Sequence, residues 1–296
     1  MNRTRSQALT HIAQADTAPR LNTPRIGRIV LYGIMLVLVI VMVVPFAWML
    51  STSLKAQQYI LQTPPRLLPD PITLESYVGL ANRLDLARLL FNSLFVAIMT
   101  TIGQMWIAAM AAFAFSRLHW RGRNVVFLLY LATMMVPSVV MVIPQFILIR
   151  QLGWVNTYAA LIVPGLFNAF GTFLLRQAFL ALPKDFEEAA LVDGANLFTI
   201  FWRIVMPLSL PALATLSVLS FMASWNSYLF PLFVARRESV MTLPVALAAL
   251  QAGPRALTEW NLVMAGAVIT VLPILIVYLV AQRWFVQGVV SSGIKG

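Results

Sequence analysis

Hydrophobic residues along this chain gather into six long runs, at about 28–50, 90–115, 124–148, 158–180, 208–233 and 262–284, separated by shorter polar stretches. A helix needs about 20 apolar residues to cross the hydrocarbon core of a bilayer, and each run is long enough. The pattern predicts an all-α polytopic membrane protein with six transmembrane helices. The first run is too long for a signal-peptide core and is followed by no Ala-x-Ala-like site, so it is expected to be a retained span. Residues 1–25 are polar and lack periodicity and are expected to be a disordered tail. Residues 286–296 are expected to form a second tail, which leaves 26–285 as the membrane domain.

Composition agrees with lipid as the solvent. The chain is 60% hydrophobic and only 10% charged, with a mean hydropathy of +0.83. Such a chain cannot cover itself with polar surface. The net charge of +11 suggests nucleic acid at first sight, but the basic residues sit in short loops beside apolar runs, and nucleic acid is excluded as a partner. Their placement orients the chain instead: Arg3, Arg5, Arg20 and Arg25 precede the first run, and Arg117, Arg121 and Arg123 lie between the second and third. By the positive-inside rule both segments are cytoplasmic, so both termini and the loop at 181–207 are cytoplasmic too, and 51–89, 149–157 and 234–261 face outside. There is no cysteine, and the two histidines, His11 and His119, are too far apart in sequence to suggest a metal pair.

The runs carry almost no charge, whereas ion-coupled carriers bury ionisable groups at mid-membrane. A transporter built from this chain must draw its energy from another molecule. It has no nucleotide site of its own: the three lysines follow Leu54, Pro183 and Ile294, never glycine, so no phosphate-binding P-loop exists. No nucleophile, base or metal constellation suggests an enzyme. Prolines, among them Pro45, Pro137, Pro144, Pro164 and Pro273, do lie in or near the runs; each reads either as an ordinary kink or as part of a bundle shaped around a pathway, and the cluster Pro137, Pro144 and Gln145 is the best local case for the second.

The loop at 181–207 holds four of the ten acidic residues and has the punctuation of a folded element. Asp185 and Glu188 are spaced as a capping box, with Phe186, Ala189 and Ala190 on one face. Gly194 suits a left-handed helix end, and Asn196 can cap a second helix running to Met206, which Pro207 stops or kinks. The predicted unit is a helix, a glycine elbow and a helix. Its alanines let another surface approach closely, and Glu187, Glu188 and Asp193 offer negative charge to a basic rim. The competing reading is a helix resting on lipid headgroups, which favours Lys and Arg on the polar face rather than acids.

Glu188-Ala189-Ala190, three residues, Gly194, nine residues, Ile204, one residue, then Met206-Pro207 resembles the EAA motif of inner-membrane permease subunits of bacterial ABC importers, at six of its seven fixed positions. Met206 replaces the family's leucine. Asn92-Ser93, Thr172 to Gln177, Asp193-Gly194-Ala195, Trp225-Asn226 and the chain's ending look like the carbohydrate-uptake branch, in particular the six-span second permease of maltose-type systems. The resemblance implies a type I importer fold in the bacterial inner membrane. The loop becomes a coupling helix, with Glu188, Ala189, Ala190, Asp193, Gly194, Ile204 and Pro207 as its motif. Implied partners are a second permease subunit, a cytoplasmic ATPase dimer that binds ATP and magnesium, and an extracytoplasmic solute-binding protein. The chain itself would hold no cofactor and catalyse nothing. A sugar pathway needs hydroxyl-matching polar groups and an aromatic platform, and Gln145, Asn168, Trp225, Asn226 and Tyr228 are the candidates. Asn and Gln inside spans also bridge helices, which is the alternative for each. A polyol or glycerol phosphate is the alternative solute, and a self-sufficient secondary carrier the alternative class.

Overall fold

The computed structural model describes residues 25–292 except 61, 63, 65 and 252–258. The predicted tail over 1–25 falls outside the described residues except for Arg25, which already belongs to a helix, and residues 293–296 also lie outside. The described elements are helical throughout. The chain divides into two units, Met1–Met49 and Leu50–Gly296. The described part of the first belongs to α1 (Arg25–Ser53), which continues across the boundary, carries apolar side chains on all faces and contains Pro45 without breaking.

The second unit contains α2 (Glu75–Arg83), α3 (Leu86–Ser116), α4 (Arg123–Ala132), α5 (Val142–Gln151), α6 (Tyr158–Ile162), α7 (Ala169–Ala181), α8 (Asp185–Val192), α9 (Leu197–Ile200), α10 (Met206–Leu208), α11 (Leu210–Trp225), α12 (Leu229–Val234), α13 (Leu243–Gln251) and α14 (Trp260–Ser292). α3 is the central post. Asp85 caps it by accepting a hydrogen bond from the Arg88 amide at 3.0 Å, and α7 and α11 pack along its length. Ala108, Ala112 and Phe113 of α3 meet Leu175 and Phe179 of α7 and Leu216 of α11 in the largest core. Small residues permit this approach: a Cβ on Gly171 would lie 2.9 Å from Leu216 Cδ1. At the α2 end of α3, Asn92 is fully buried, donates to the carbonyls of Ser239 and Met241 and accepts from the Tyr158 hydroxyl at 2.6 Å. Ser93 Oγ accepts from the Leu243 amide at 2.7 Å.

Three of the predicted runs are not single helices. The third, 124–148, breaks after a 3-10 turn at Thr133–Met135 and resumes as α5. Pro137 lacks an amide proton and pushes Val136 to extended backbone (φ −82°, ψ 117°). The fourth, 158–180, is α6, a 3-10 turn at Val163–Gly165 containing Pro164, and α7, bent by 43°. The fifth, 208–233, breaks after Trp225 and ends as the short α12. At the far end, α14 runs through Pro273 to Ser292, so residues 286–292, expected to be tail, continue a helix. Gly27–Ser53, Leu86–Ser116 and Trp260–Gln282 are long and apolar enough to cross a membrane as single helices, and two bent pairs qualify when each is taken together.

Candidate functional site

The 181–207 loop folds as two short helices joined at a hydrogen-bonded elbow. Leu182 is extended before Pro183 (φ −74°, ψ 135°), and α8 starts from Lys184, whose carbonyl accepts from the Glu187 and Glu188 amides. The predicted capping box therefore does not form. Asp185 is the first helical residue rather than the cap, and Asp185, Glu187 and Glu188 fill the first turn, where the helix dipole favours negative charge. The other end matches expectation. Gly194 is left-handed at φ +81°, with the Gly194 amide bonded to the Leu191 carbonyl at 3.0 Å and the Ala195 amide to the Ala190 carbonyl at 2.9 Å. These two bonds are the Schellman pair that closes a helix on a residue of positive φ. Asn196 caps α9, its Oδ1 accepting from the Thr199 amide at 2.8 Å.

The second helix of the loop departs from expectation beyond Ile200. Phe201–Val205 forms a π-helical turn, the chain continues through Pro207 as α10, and the 78° bend comes at Ser209. Pro207 has no amide proton for the Arg203 carbonyl and its ring crowds that turn; widening the preceding turn relieves the conflict without stopping the helix.

The motif residues divide into two groups. Glu188, Ala189, Asp193 and Gly194 are exposed, beside the apolar Phe186, Leu191 and Val192, the last 88% exposed. Ala190 is half-buried, and it and Ile204 pack against the core of α3, α7 and α11; Pro207 is exposed. Glu187 differs from its sequence reading. It faces inward rather than toward a partner, and its carboxylate lies 2.7 Å from Arg117 Nε at the end of α3, with both side chains largely buried. Burial pushes the Glu187 carboxyl above its ordinary value, an effect that Arg117 and then Lys184 oppose. Arg117 also donates to the Leu182 carbonyl at 3.1 Å, so a single guanidinium holds both the approach to α8 and its first turn.

A cavity of about 490 Å³ lies where the helices break. Val96, Thr100 and Gln104 stand four residues apart on one face of α3 and form one wall. The break in the third run contributes Thr133 and Ser138, α5 adds Gln145, and the bend in the fourth contributes Gly165, Phe167 and Asn168. Ser220, Ser224 and Ser227 from the end of the fifth run, Phe230 of α12 and Thr242 close it. Two of the five predicted pathway residues, Gln145 and Asn168, line this cavity. Asn168 also caps α7, accepting from the Gly171 amide at 3.2 Å. The other three do not line it. Trp225 is 1% exposed, stacks on Phe221 and donates from Nε1 to the Thr270 carbonyl at 3.1 Å. Asn226 spends its amide on the Met222 carbonyl at the end of α11, and Tyr228 lines a separate apolar depression with Leu247 and Ala267. The wall hydroxyls were missed at the sequence level, where the available signal was the i, i+4 spacing of Thr100 with Gln104 and of Ser220 with Ser224 in apolar runs. Among the described residues no cluster of three or more His, Cys, Asp or Glu could hold a metal ion.

This architecture has known counterparts. The chain is 34% identical to the arabinooligosaccharides transport system permease protein of Halalkalibacterium halodurans over 77% of its length and 81% of that protein's. It is 35% identical to the sn-glycerol-3-phosphate transport system permease protein of Yersinia enterocolitica over 79% and 85%, and 33% identical to an inner membrane ABC transporter permease protein of Escherichia coli over 93% and 99%. Among solved structures, a chain of a bacterial ABC transporter involved in the import of the acidic polysaccharide alginate superposes with a TM-score of 0.79 at 27% identity, covering 91% of this chain and 100% of that one. A chain of the bacterial alginate ABC transporter in complex with alginate pentasaccharide-bound periplasmic protein shares the fold, at a TM-score of 0.63 and 15% identity over 86% and 93%. Residues 104–291 match the family of binding-protein-dependent transport system inner membrane components, a span that takes in the cavity's larger part and the whole 181–207 loop, and the chain belongs to that family.

Proposed function

We propose that this chain is the permease subunit of an ATP-driven carbohydrate importer. It would form half of the translocation pathway with a second permease subunit and dock a separate ATPase dimer through the 181–207 loop. The observation that carries the docking assignment is the contrast on α8: Glu188, Ala189, Asp193 and Gly194 are exposed, while the Schellman elbow and the Arg117–Glu187 pair hold the backbone beneath them. A rigid lever with an open face transmits force; a loose loop does not. In this reading the basic loops and both termini are cytoplasmic. The partner ATPase binds ATP and magnesium, and an extracytoplasmic binding protein delivers the solute. Closure of the ATPase dimer moves α8, and the packing of Ala190 and Ile204 against the core of α3, α7 and α11 carries that motion to the cavity.

Replacing Glu188 by lysine tests the docking. The site is exposed, so the subunit should fold and insert normally, while like charge against a basic cleft should reduce stimulated ATPase activity and transport by roughly a hundredfold. Full transport and stimulation by Glu188→Lys in a reconstituted importer would remove the assignment.

A further inference from the structure

The relatives' names span uncharged and charged solutes, arabinooligosaccharides on one side and sn-glycerol-3-phosphate and an acidic polysaccharide on the other. The cavity distinguishes them. Among the described residues none of its lining side chains is charged. Half of them are Ser, Thr, Asn or Gln, and Phe167 and Phe230 supply apolar rings. A phosphate or carboxylate taken out of water needs a paired cation or several converging N–H donors. Hydroxyls and carboxamides instead donate and accept together, as the hydroxyls of a sugar do.

Three wall hydroxyls carry the argument further. Thr100, Ser220 and Thr242 are 5%, 4% and 5% exposed, and their oxygens are covered by the wall and have no hydrogen-bond partner among the described residues, so a solute reaches them by a χ1 rotation of each side chain. The Thr100 methyl is held against Gly165, where an added Cβ would lie 2.8 Å away, so this threonine packs through its methyl and leaves its hydroxyl unused. Buried hydroxyls are normally paired, and a set of them around one cavity is a cost to the fold that a ligand can repay. The cavity also sits at the breaks in three runs, where irregular backbone is tolerated in a membrane because it lines a polar space.

We propose that this cavity is a binding site for an uncharged polyhydroxylated solute, read by Thr100, Ser220 and Thr242 with Gln104 and Gln145, and that phosphorylated polyols and uronate saccharides are not carried. The proposal rests on the carbohydrate-importer reading and narrows it.

The test uses the complete importer in proteoliposomes, offered a mixture of neutral oligosaccharide hydrolysates, glycerol 3-phosphate and alginate oligosaccharides, with the imported set identified by mass spectrometry. Only neutral solutes should enter. Import of glycerol 3-phosphate or alginate fragments overturns the proposal and leaves the importer reading intact. Import of nothing from the mixture removes the importer reading, and the proposal with it. Thr100→Val and Thr242→Val then test the site on the imported solute. Each should raise the transport KM about fivefold, and the double variant tenfold or more. Because each replacement deletes a hydroxyl that the fold does not use, the melting temperature should stay the same or rise. A lowered melting temperature with an unchanged KM assigns the threonines to packing and overturns the site.

Discussion

The 181–207 loop and the cavity at the helix breaks are built in opposite ways. The loop is contiguous: its elbow, its cap and its exposed face come from neighbouring residues, and the hydrogen bonds of the elbow and the cap are satisfied within a few positions, with Arg117 as the tie from outside. The cavity is dispersed, drawing on residues from Val96 to Thr242 and leaving Thr100, Ser220 and Thr242 unsatisfied. A surface that must present the same shape to a partner in every cycle benefits from internal satisfaction. A pathway that must hold and release a solute benefits from polar groups left free for it. Perturbing the loop's internal ties should therefore cost stability and coupling together, perturbing its exposed face should cost coupling alone, and perturbing the cavity should cost affinity without stability.

The largest effect expected on the loop's stability is at Arg117, at the end of α3. Removing it leaves Glu187 buried without its cation and releases the Leu182 carbonyl. Breaking a buried pair from one side costs about 3–5 kcal/mol, and partial access of water to Glu187 brings this to about 2–3 kcal/mol. Arg117→Ala should lower the melting temperature of the purified subunit and uncouple ATPase activity from transport, although residue 117 lies outside the motif. If transport survived unchanged, the loop would need no internal tie and the contrast with the cavity would weaken.

Gly194 comes next. Its φ of +81° strains any residue with a Cβ, but no atom of the described residues lies within 4 Å of where that Cβ would sit. Gly194→Ala should therefore cost only backbone strain, about 1–2 kcal/mol, and Gly194→Asn less, because asparagine tolerates this region. The ordering glycine, asparagine, alanine in stimulated ATPase activity is the measurement. Equal activity of all three would mean that the elbow's shape does not matter to docking.

Much of this loop was legible in the sequence because its signals are local. A glycine after a polar residue, an asparagine before an apolar run and a proline with six of seven motif positions need no tertiary information. The capping box failed because the helix is entered one residue early, with Lys184 in the cap position, and Glu187 was misjudged because its partner lies 70 residues away at the end of α3. The helix breaks were foreshadowed by Pro137 and Pro164, yet a hydrophobic run does not say whether its prolines bend it or divide it. Cavity residues were the least legible. Tryptophan and asparagine drew attention as sugar-binding types, but burial made Trp225 a core residue and a helix end claimed Asn226, while small hydroxyls with no conspicuous chemistry lined the space.

Trp225 makes that point testable. Trp225→Phe keeps the ring stacked on Phe221 and loses the hydrogen bond to the Thr270 carbonyl, an expected cost of about 1 kcal/mol in stability with no change in transport KM. A raised KM without lost stability would place this side chain in the pathway after all and extend the binding surface beyond the cavity.

The smallest expected effect separates the two regions by pH. Burial raises the Glu187 carboxyl above its unfolded value despite Arg117, so the folded loop takes up a proton more readily than the unfolded chain. The resulting contribution to stability is fully present below the unfolded carboxylate value and is lost as pH rises through the folded one. A melting series across that acid window should show this contribution falling as pH rises in wild type, read as the difference in slope from Glu187→Gln. Among the described residues the cavity has no titratable lining residue, so Thr100→Val should keep the wild-type slope. A slope unchanged by Glu187→Gln would mean that Arg117 and Lys184 cancel the effect of burial, so that the carboxyl takes up its proton alike in the folded and unfolded chain.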